Sequence, residues 1–449
     1  MNLDILRRED GGPRQVLRWG LHHGVARPAI SRMIRQDDLG ARITADPLVL
    51  DDPYPYYEQL RARGRLVRTA LAPMTVDHAL SAELLRNPHF GTTALSAELP
   101  RRIRIALRLA GRGAPGPGRP PSMLAVDPPD HTRYRKLVTR AFSAKVVAGL
   151  RTRVEQIAED LLDDILVRSN RTGTSDLIAD YAAVLPATVI VEMLGAPPEM
   201  QEQFLEWGAG GILSLDVPLS YRDFRRCERD LFALHRWMIG HFAHLRKNPG
   251  DNILSHLIAI HDEGQHLTED ELSSLAMLLL VAGFETTVNL IGSGAALLAH
   301  HRDQLDVVRS DPARWGNCVD EILRYESPVQ RTARVVQKEV EFGGETLRPG
   351  EFVVSFLGGA NRDPEVFTDP HTFDVTRPNA NKHIAFSGGI HYCLGAGLAK
   401  MEGEIALRAL FKRFPDLSLV GPPHRRPTAV LRGFSSVPAR LTSGAARYV

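Results

Sequence analysis

One cysteine in this chain sits where a thiol could do chemistry. Cys393 lies in Phe386-Ser387-Gly388-Gly389-Ile390-His391-Tyr392-Cys393-Leu394-Gly395, a loop whose glycines strip side chains from around the sulfur. A helical pattern follows, running from about Gly395 to Phe414. A thiol just ahead of a helix start faces unpaired N–H groups and the positive end of the helix dipole. That setting favours the thiolate, which is both nucleophile and metal ligand, over the thiol of pKa ~8.5. Phe386 offers an aromatic shield to the sulfur, and His391 a polar donor at the rim. On these residues alone an inert buried cysteine stays open, as does a nucleophile with His391 as its base.

Two further groups could act with it. Ala282-Gly283-Phe284-Glu285-Thr286-Thr287 sets a glycine, an acid and two alcohols inside a long helical pattern. Such residues are poor helix-interior choices, and buried they need partners or water. His131 and Arg135, four apart, share a helical face and could hold a phosphate or carboxylate. Phe-x-x-Gly-x-His-x-Cys-x-Gly resembles, at every defined position, the haem-thiolate signature of the cytochrome P-450 enzymes. That resemblance implies Cys393 as the axial iron ligand, with Phe386, His391 and Gly395 in the same loop. It implies that His131, Arg135 and Arg334 hold the propionates of haem b. It makes Gly283 the place where the central helix opens for dioxygen, Thr286 a hydrogen-bonding partner there, and Glu285 a proton relay from solvent. Glu321-x-x-Arg324 and Arg377 are similar to the family's structural triad, which holds the cysteine loop and takes no part in the chemistry.

These residues need elements to place them. Thr268-Glu269-Asp270-Glu271 is a capping box, and it predicts a helix of about thirty residues, apolar all round from Leu275 to Ala282. Such a helix crosses a protein interior. Its apolar run is too short, and too soon followed by Glu285, for a membrane span. Asp127-Pro128-Pro129-Asp130 opens the helix that carries His131 and Arg135. Helices are also expected over 47–63, 145–168, 176–194 and 223–245, with another starting at Asp311-Pro312. Strands are expected near 66–76 and at Thr332–Val336. Residues 91–122, with six arginines against the single acid Glu98 and a Gly/Pro run at 111–118, read as a short basic helix within a long loop. Gln203–Ser220 reads as a flexible lid broken at Gly208-Ala209-Gly210-Gly211.

With 449 residues, 43% hydrophobic, the chain can bury a large core, and no linker divides it. The fold that the resemblance implies is mainly α with small β-sheets: residues 1–44 a basic, helical extension, residues 45–449 a single haem-thiolate domain of prism shape. Arg14–Arg35 forms a basic amphipathic stretch, expected as a solvated helix packed on the body, with contact to anionic lipid as its other use. A net charge of +2 does not call for nucleic acid. Cys227, Cys318 and Cys393 are too few and scattered for a disulfide framework, which fits a cytoplasmic protein. No flavin or iron–sulfur motif is present, and Gly395-x-Gly397 lacks both a preceding strand and a third glycine for dinucleotide binding.

The resemblance therefore implies a monooxygenase that places one atom of dioxygen in a C–H bond and sends the other to water. A ferredoxin and an NAD(P)H-dependent reductase would supply the electrons, with Arg133, Lys136, Arg140 and Lys400 as a docking surface for the acidic ferredoxin. The pocket, lined by 91–122, 203–220, the middle of the long helix, 329–336 and 430–434, is mostly apolar and suggests a lipophilic substrate. A haem-thiolate sensor or carrier is the alternative, though it has little use for Glu285 and Thr286. A cysteine hydrolase leaves both that pair and the propionate-type cations unexplained.

Overall fold

The computed structural model describes residues 12–93, 109–111, 113–262 and 267–441. Its organising element is the helix Glu269–His300, 32 residues or ~48 Å long at 1.5 Å per residue. The capping box forms as expected: Thr268 Oγ1 accepts from Glu271 N, and the Glu271 carboxylate accepts from Thr268 N. This helix is long and apolar enough to cross a membrane, but its neighbours are protein. It packs on Val184–Met193, Gln201–Gly211, Tyr221–Lys247, Trp315–Tyr325 and Ala396–Arg413. Leu272, Leu275, Ala276, Leu280, Val288 and Ile291 are fully enclosed in that packing. Burying each large aliphatic side chain contributes ~1.5–3 kcal/mol.

Around this helical body lie small sheets. The largest has five strands, in the order Val67–Arg68, Pro73–Thr75, Phe352–Ser355, Thr332–Val336, Phe90–Gly91. Thr332–Val336 pairs antiparallel with Phe352–Ser355, Arg334 opposite Val353. The molecule is thus a single-domain α+β prism of helices with sheets at its margin.

Two expectations are corrected here. The lid glycines do not break the chain: Gln201–Gly211 is one helix, followed by a 3-10 turn at Ile212–Leu215. Their role is close approach. A methyl on Gly208 would lie 2.2 Å from the Phe284 ring, and one on Gly210 2.0 Å from Asp230 Oδ2. The helix expected over 176–194 is a short strand (Ser175–Asp176), a π turn (Ile178–Ala182) and a helix (Val184–Met193). The basic helix expected inside 91–122 lies largely outside the described residues.

Near the N-terminus, helices Pro13–Trp19 and Ala26–Arg35 are joined by a π turn at Gly20–Gly24. They dock through polar side chains. Arg18 is buried and binds Glu228 through Nε (2.9 Å) and Nη2 (2.7 Å), while its Nη1 donates to Ala110 O. Gln15 Nε2 donates to the same carboxylate. Trp19 Nε1 donates to Leu219 O, and His23 Nδ1 accepts from Leu219 N. Removing one member of a buried pair leaves an uncompensated charge, which costs ~3–5 kcal/mol. Arg18→Ala should lower unfolding stability by about that much. The pair Arg18→Met with Glu228→Gln should recover most of it in urea titrations. Equal losses in both would refute the buried-charge account.

Candidate active site

The loop carrying Cys393 is shaped by two left-handed residues, Ser387 (φ 63°) and Gly389 (φ 61°). At Gly389 a side chain is also excluded by space, because a methyl would lie 2.2 Å from Leu85 O. A 3-10 turn at Gly389–His391 then brings Cys393 N within 2.9 Å of Phe386 O. The helix Ala396–Arg413 starts directly afterwards, with Gly395 as its N-cap, and the Gly395 N–H bonds the sulfur. The helix-start effect read from the sequence is present, but burial outweighs it and pushes the Cys393 thiol up; Gly395 N–H and Arg135 only oppose this. A cation at the sulfur is needed to hold a thiolate here, and a coordinated metal ion does so outright.

Glu321, Arg324 and Arg377 meet at full burial behind the loop. Arg324 forks onto Glu321 (Nε–Oε2 2.7 Å, Nη2–Oε1 2.8 Å), and Arg377 Nε lies 3.2 Å from both carboxylate oxygens. The remaining guanidinium N–H groups donate to the carbonyls of Asn361, Thr368, Asp369, Pro370 and Thr372. The triad thus gathers the segment before the cysteine loop. Asp320, the neighbour of Glu321, adds a second tie that sequence reasoning missed. It accepts from Lys400 Nζ (2.9 Å) and contacts His383 Nε2 (3.3 Å), bridging both sides of the loop. An acid beside Glu321 was the available signal, but nothing in sequence spacing says which residues it meets. Lys400 is therefore engaged, and so is Arg133, bound by Glu271 and Asp130.

The central helix runs unbroken through Gly283, so the opening expected there is not a helix distortion. What is unusual is exposure: Ala282 and Gly283 are solvent-accessible in the middle of a helix whose flanks are buried. The helix meets Ala396–Arg413 at Thr287–Glu402 and Leu290–Gly403. Gly283 lies one turn before Thr287 on the central helix, and the cysteine loop runs directly into the N-terminus of the helix that carries Glu402 and Gly403, so the accessible face at Ala282 and Gly283 marks a hollow in the packing. Thr286, half-buried, donates from Oγ1 to Ala282 O (3.1 Å). Glu285 is buried and paired with Arg426, itself anchored to the Phe434 carbonyl. Burial pushes the Glu285 carboxyl up, and Arg426 opposes that shift.

Whether haem suits this hollow is answered by its polar groups. His131 and His391 face each other with ring centroids 4.3 Å apart, and both Nε2 atoms are buried without a partner. Burial lowers both imidazoles, His391 to about 3, with Arg334 the next cause there. Arg334 is buried, and among the described residues its side chain is bonded only to Thr332 Oγ1 and Ala333 O of its own strand. Burial lowers its pKa to about 10. Arg135 makes no ion pair among the described residues. Asp127, the acid facing this group, is taken by the backbone N–H groups of Thr92 and Thr93. Two guanidiniums and two imidazoles so arranged suit an anionic ligand, as the paired propionates of haem are. The residues fit the cofactor. No hydrogen bond joins His391 to Cys393, which leaves the nucleophile–base reading without support.

Comparison with known proteins agrees. The family model described as cytochrome P-450 matches residues 316–433. The cytochrome P-450 140 proteins of Mycobacterium bovis and Mycobacterium tuberculosis are 45% identical over 428 residues, 95% of this chain and 97% of theirs. The 6-deoxyerythronolide B hydroxylase of Saccharopolyspora erythraea is 43% identical over 319 residues, 70% of this chain and 76% of its own. Among solved structures, CalO2 superposes with a TM-score of 0.79 at 29% identity, covering 90% of this chain and 98% of its own. A myxobacterial cytochrome P-450 in complex with myristic acid gives 0.78 at 35% identity, over 88% and 98%.

Glu402, fully buried against Thr287, was also invisible in the sequence, and burial raises its carboxyl to about 8. Its folded pKa lies above the unfolded ~4.3, so the native state holds a proton the unfolded chain has lost. Stability from this group is therefore full below about pH 4 and falls as pH rises towards 8. Glu402→Gln should match the parent near pH 4 and become progressively more stable than it towards pH 8. A stability difference that stays flat with pH, in denaturant titrations, would rule this out.

Proposed function

The chain belongs to the cytochrome P-450 family, and from that premise we propose that it inserts one atom of dioxygen into a C–H bond of a lipophilic small molecule, using electrons from a ferredoxin and an NAD(P)H-dependent ferredoxin reductase. The observation that carries this reading is the cluster of His131, Arg135, Arg334 and His391 beside a cysteine at a helix start, opposite an alcohol on the open face of the central helix. Haem b, when bound, supplies the oxygen-activating redox chemistry, tuned by its axial thiolate. This chain's residues do the rest. Cys393 provides the thiolate, and the Gly395 N–H at the sulfur tempers its charge. His131, Arg135, Arg334 and His391 seat the propionates, and Glu321, Arg324 and Arg377 fix the loop that carries the sulfur.

Thr286 Oγ1 holds a proton donor or a water on the open face of the helix. Its present acceptor, Ala282 O, is a weak one to exchange, since that carbonyl also lies at the hollow. Glu285, adjacent in sequence and ~100° around the helix, is the nearest acid to Thr286 along the chain. Its ion pair with Arg426 must loosen for it to pass protons inward, so Arg426 sets when the relay opens.

The substrate class follows from the expected lining. Asp216 of the lid accepts from Ala429 N and Val430 N, and Gln330 N donates to Val430 O. Three of the expected segments are thereby drawn together around the buried charges of Asp216 and Arg331, with Leu215, Val329, Val430 and Leu431 as the apolar side chains beside them. Similar proteins include hydroxylases named for 6-deoxyerythronolide B and for vitamin D(3). Lys136 and Arg140, both exposed, are the members of the proposed ferredoxin surface left without intramolecular ties among the described residues. A ferredoxin and an NAD(P)H-dependent reductase as donors go with a cytoplasmic protein, the location this reading takes.

The test is spectroscopic first. Cys393→Ser should abolish the thiolate-shifted band of the reduced carbon monoxide complex, and a parent protein lacking that band would end the proposal. Thr286→Ala should keep haem while product per NAD(P)H consumed falls at least ~10-fold, within the range for loss of a positioned proton donor. Unchanged coupling would remove Thr286 from its role. Lys136→Glu with Arg140→Glu should slow reduction by ferredoxin and flatten its salt dependence. Identical rates across ionic strength would place the docking surface elsewhere.

A further inference from the structure

The first N-terminal helix and the π turn after it are inside out. Their inward face is polar, carrying Gln15, Arg18 and His23, all buried and hydrogen-bonded to the body, whereas Ala26–Arg35 buries Ile30 in the ordinary way. Their outward face is apolar: Val16 is 47% exposed, Leu17 38% and Val25 74%, with Leu21 half-exposed between them. Arg14, Leu17, Leu21, Val25, Pro28 and Arg32 follow at intervals of three or four, the spacing of a single helical stripe. An ordinary surface helix does the reverse, burying its apolar side chains and hydrating the charged ones. Scattered exposed apolar residues need no explanation, but a stripe left outward while an arginine is buried beneath it does.

The charges around the stripe point to its partner. Arg14, Arg27, Arg32 and Arg35 are exposed and make no ion pair among the described residues, and residues 11–36 contain no acid. A protein partner of mixed charge would not select so one-sided a rim. An anionic bilayer does, because apolar side chains enter its interface while arginines meet its headgroups. We propose that the outward face of residues 13–35 rests on an anionic lipid surface.

The inner face gives that contact a consequence. Trp19 and His23 grip both the carbonyl and the amide of Leu219, at the end of the lid, and Val217 two residues away is 47% exposed. A bilayer-bound stripe therefore brings the lid segment to the membrane surface, where a lipophilic compound is most concentrated. This consequence, but not the membrane contact itself, rests on the substrate class proposed above.

The experiment uses the full-length holoprotein and flotation with vesicles of phosphatidylcholine alone or mixed equally with phosphatidylglycerol. Binding is expected to the mixed vesicles at low salt and to be largely lost in high salt, since each arginine near such a surface is worth roughly fivefold in partitioning. Arg27→Glu with Arg32→Glu should weaken it by more than about 25-fold. Leu17→Ser with Val25→Ser should weaken it several-fold at unchanged charge. Haem content and the reduced carbon monoxide spectrum report folding in both variants. Equal partitioning onto the two vesicle types, or binding that neither variant weakens, would overturn the proposal. So would a concentration-dependent dimer abolished by Leu17→Ser with Val25→Ser, since the stripe would then be covered by a second copy of the chain.

Discussion

A single buried carboxylate, that of Glu321, underlies the architecture of the site. It neutralises two guanidiniums at once in a region from which water is excluded, and the leftover N–H groups of both arginines are taken by five backbone carbonyls. A buried ion pair is weak evidence for stability, because desolvation can cancel its Coulomb energy. What it fixes is conformation. Few other arrangements of residues 361–377 could satisfy both fork-shaped donors, so the irregular segment before the cysteine loop has essentially one low-energy course. Asn361 extends the same logic: its carbonyl meets Arg324, its side-chain oxygen accepts from Ile384 N, and its amide donates to Ser327. The position of the sulfur is thus inherited from a polar network that never touches it.

Opposite the loop, the central helix supplies rigidity without filling the space. Its length is held by packing on neighbouring helices from end to end, so a short stretch can do without side-chain contacts on one side. Ala282 and Gly283 occupy that stretch, and the hydroxyl of Thr286 answers a carbonyl exposed to the hollow. Residues with poor intrinsic helix propensity are tolerated because tertiary burial elsewhere sets the helix. The same fact explains the misread lid. Gly208 and Gly210 looked like a break because glycine usually costs helix stability, yet they let Gln201–Gly211 press against Phe284 and Asp230.

What was legible in the sequence were local signals with fixed spacing: the cysteine loop, the capping box, the His131–Arg135 face and the strand carrying Arg334. Each depends on periodicity or backbone chemistry within a few residues. What escaped were pairings across long separations. Asp320 with His383 and Lys400, Glu402 with Thr287, and Glu285 with Arg426 join residues from 63 to 141 apart, or meet across two helices. No periodicity encodes them. The N-terminal stretch shows the same limit in reverse: its composition announced an amphipathic helix, but Glu228, more than two hundred residues on, decided which face turned inward.

The two polar systems of the site differ in one respect that orders their roles. The Glu321 network is satisfied by the chain itself and can form before any ligand arrives. The cluster of His131, Arg135, Arg334 and His391 is not satisfied internally among the described residues, and burial pushes the thiol beside it up. In an anionic, iron-bearing cofactor both would find a partner: His131, Arg135, Arg334 and His391 would hold its carboxylates and Cys393 its iron. A ligand bound only by the folded state adds stability as RT ln(1 + [L]/Kd), ~4 kcal/mol at a thousandfold excess over Kd. The scaffold therefore positions the loop, while the cofactor stabilises the face that the loop leaves electrostatically incomplete. That division explains why the strained turn at Ser387 is backed by an internally satisfied network: the sulfur has to be in place before the cofactor can reward its burial.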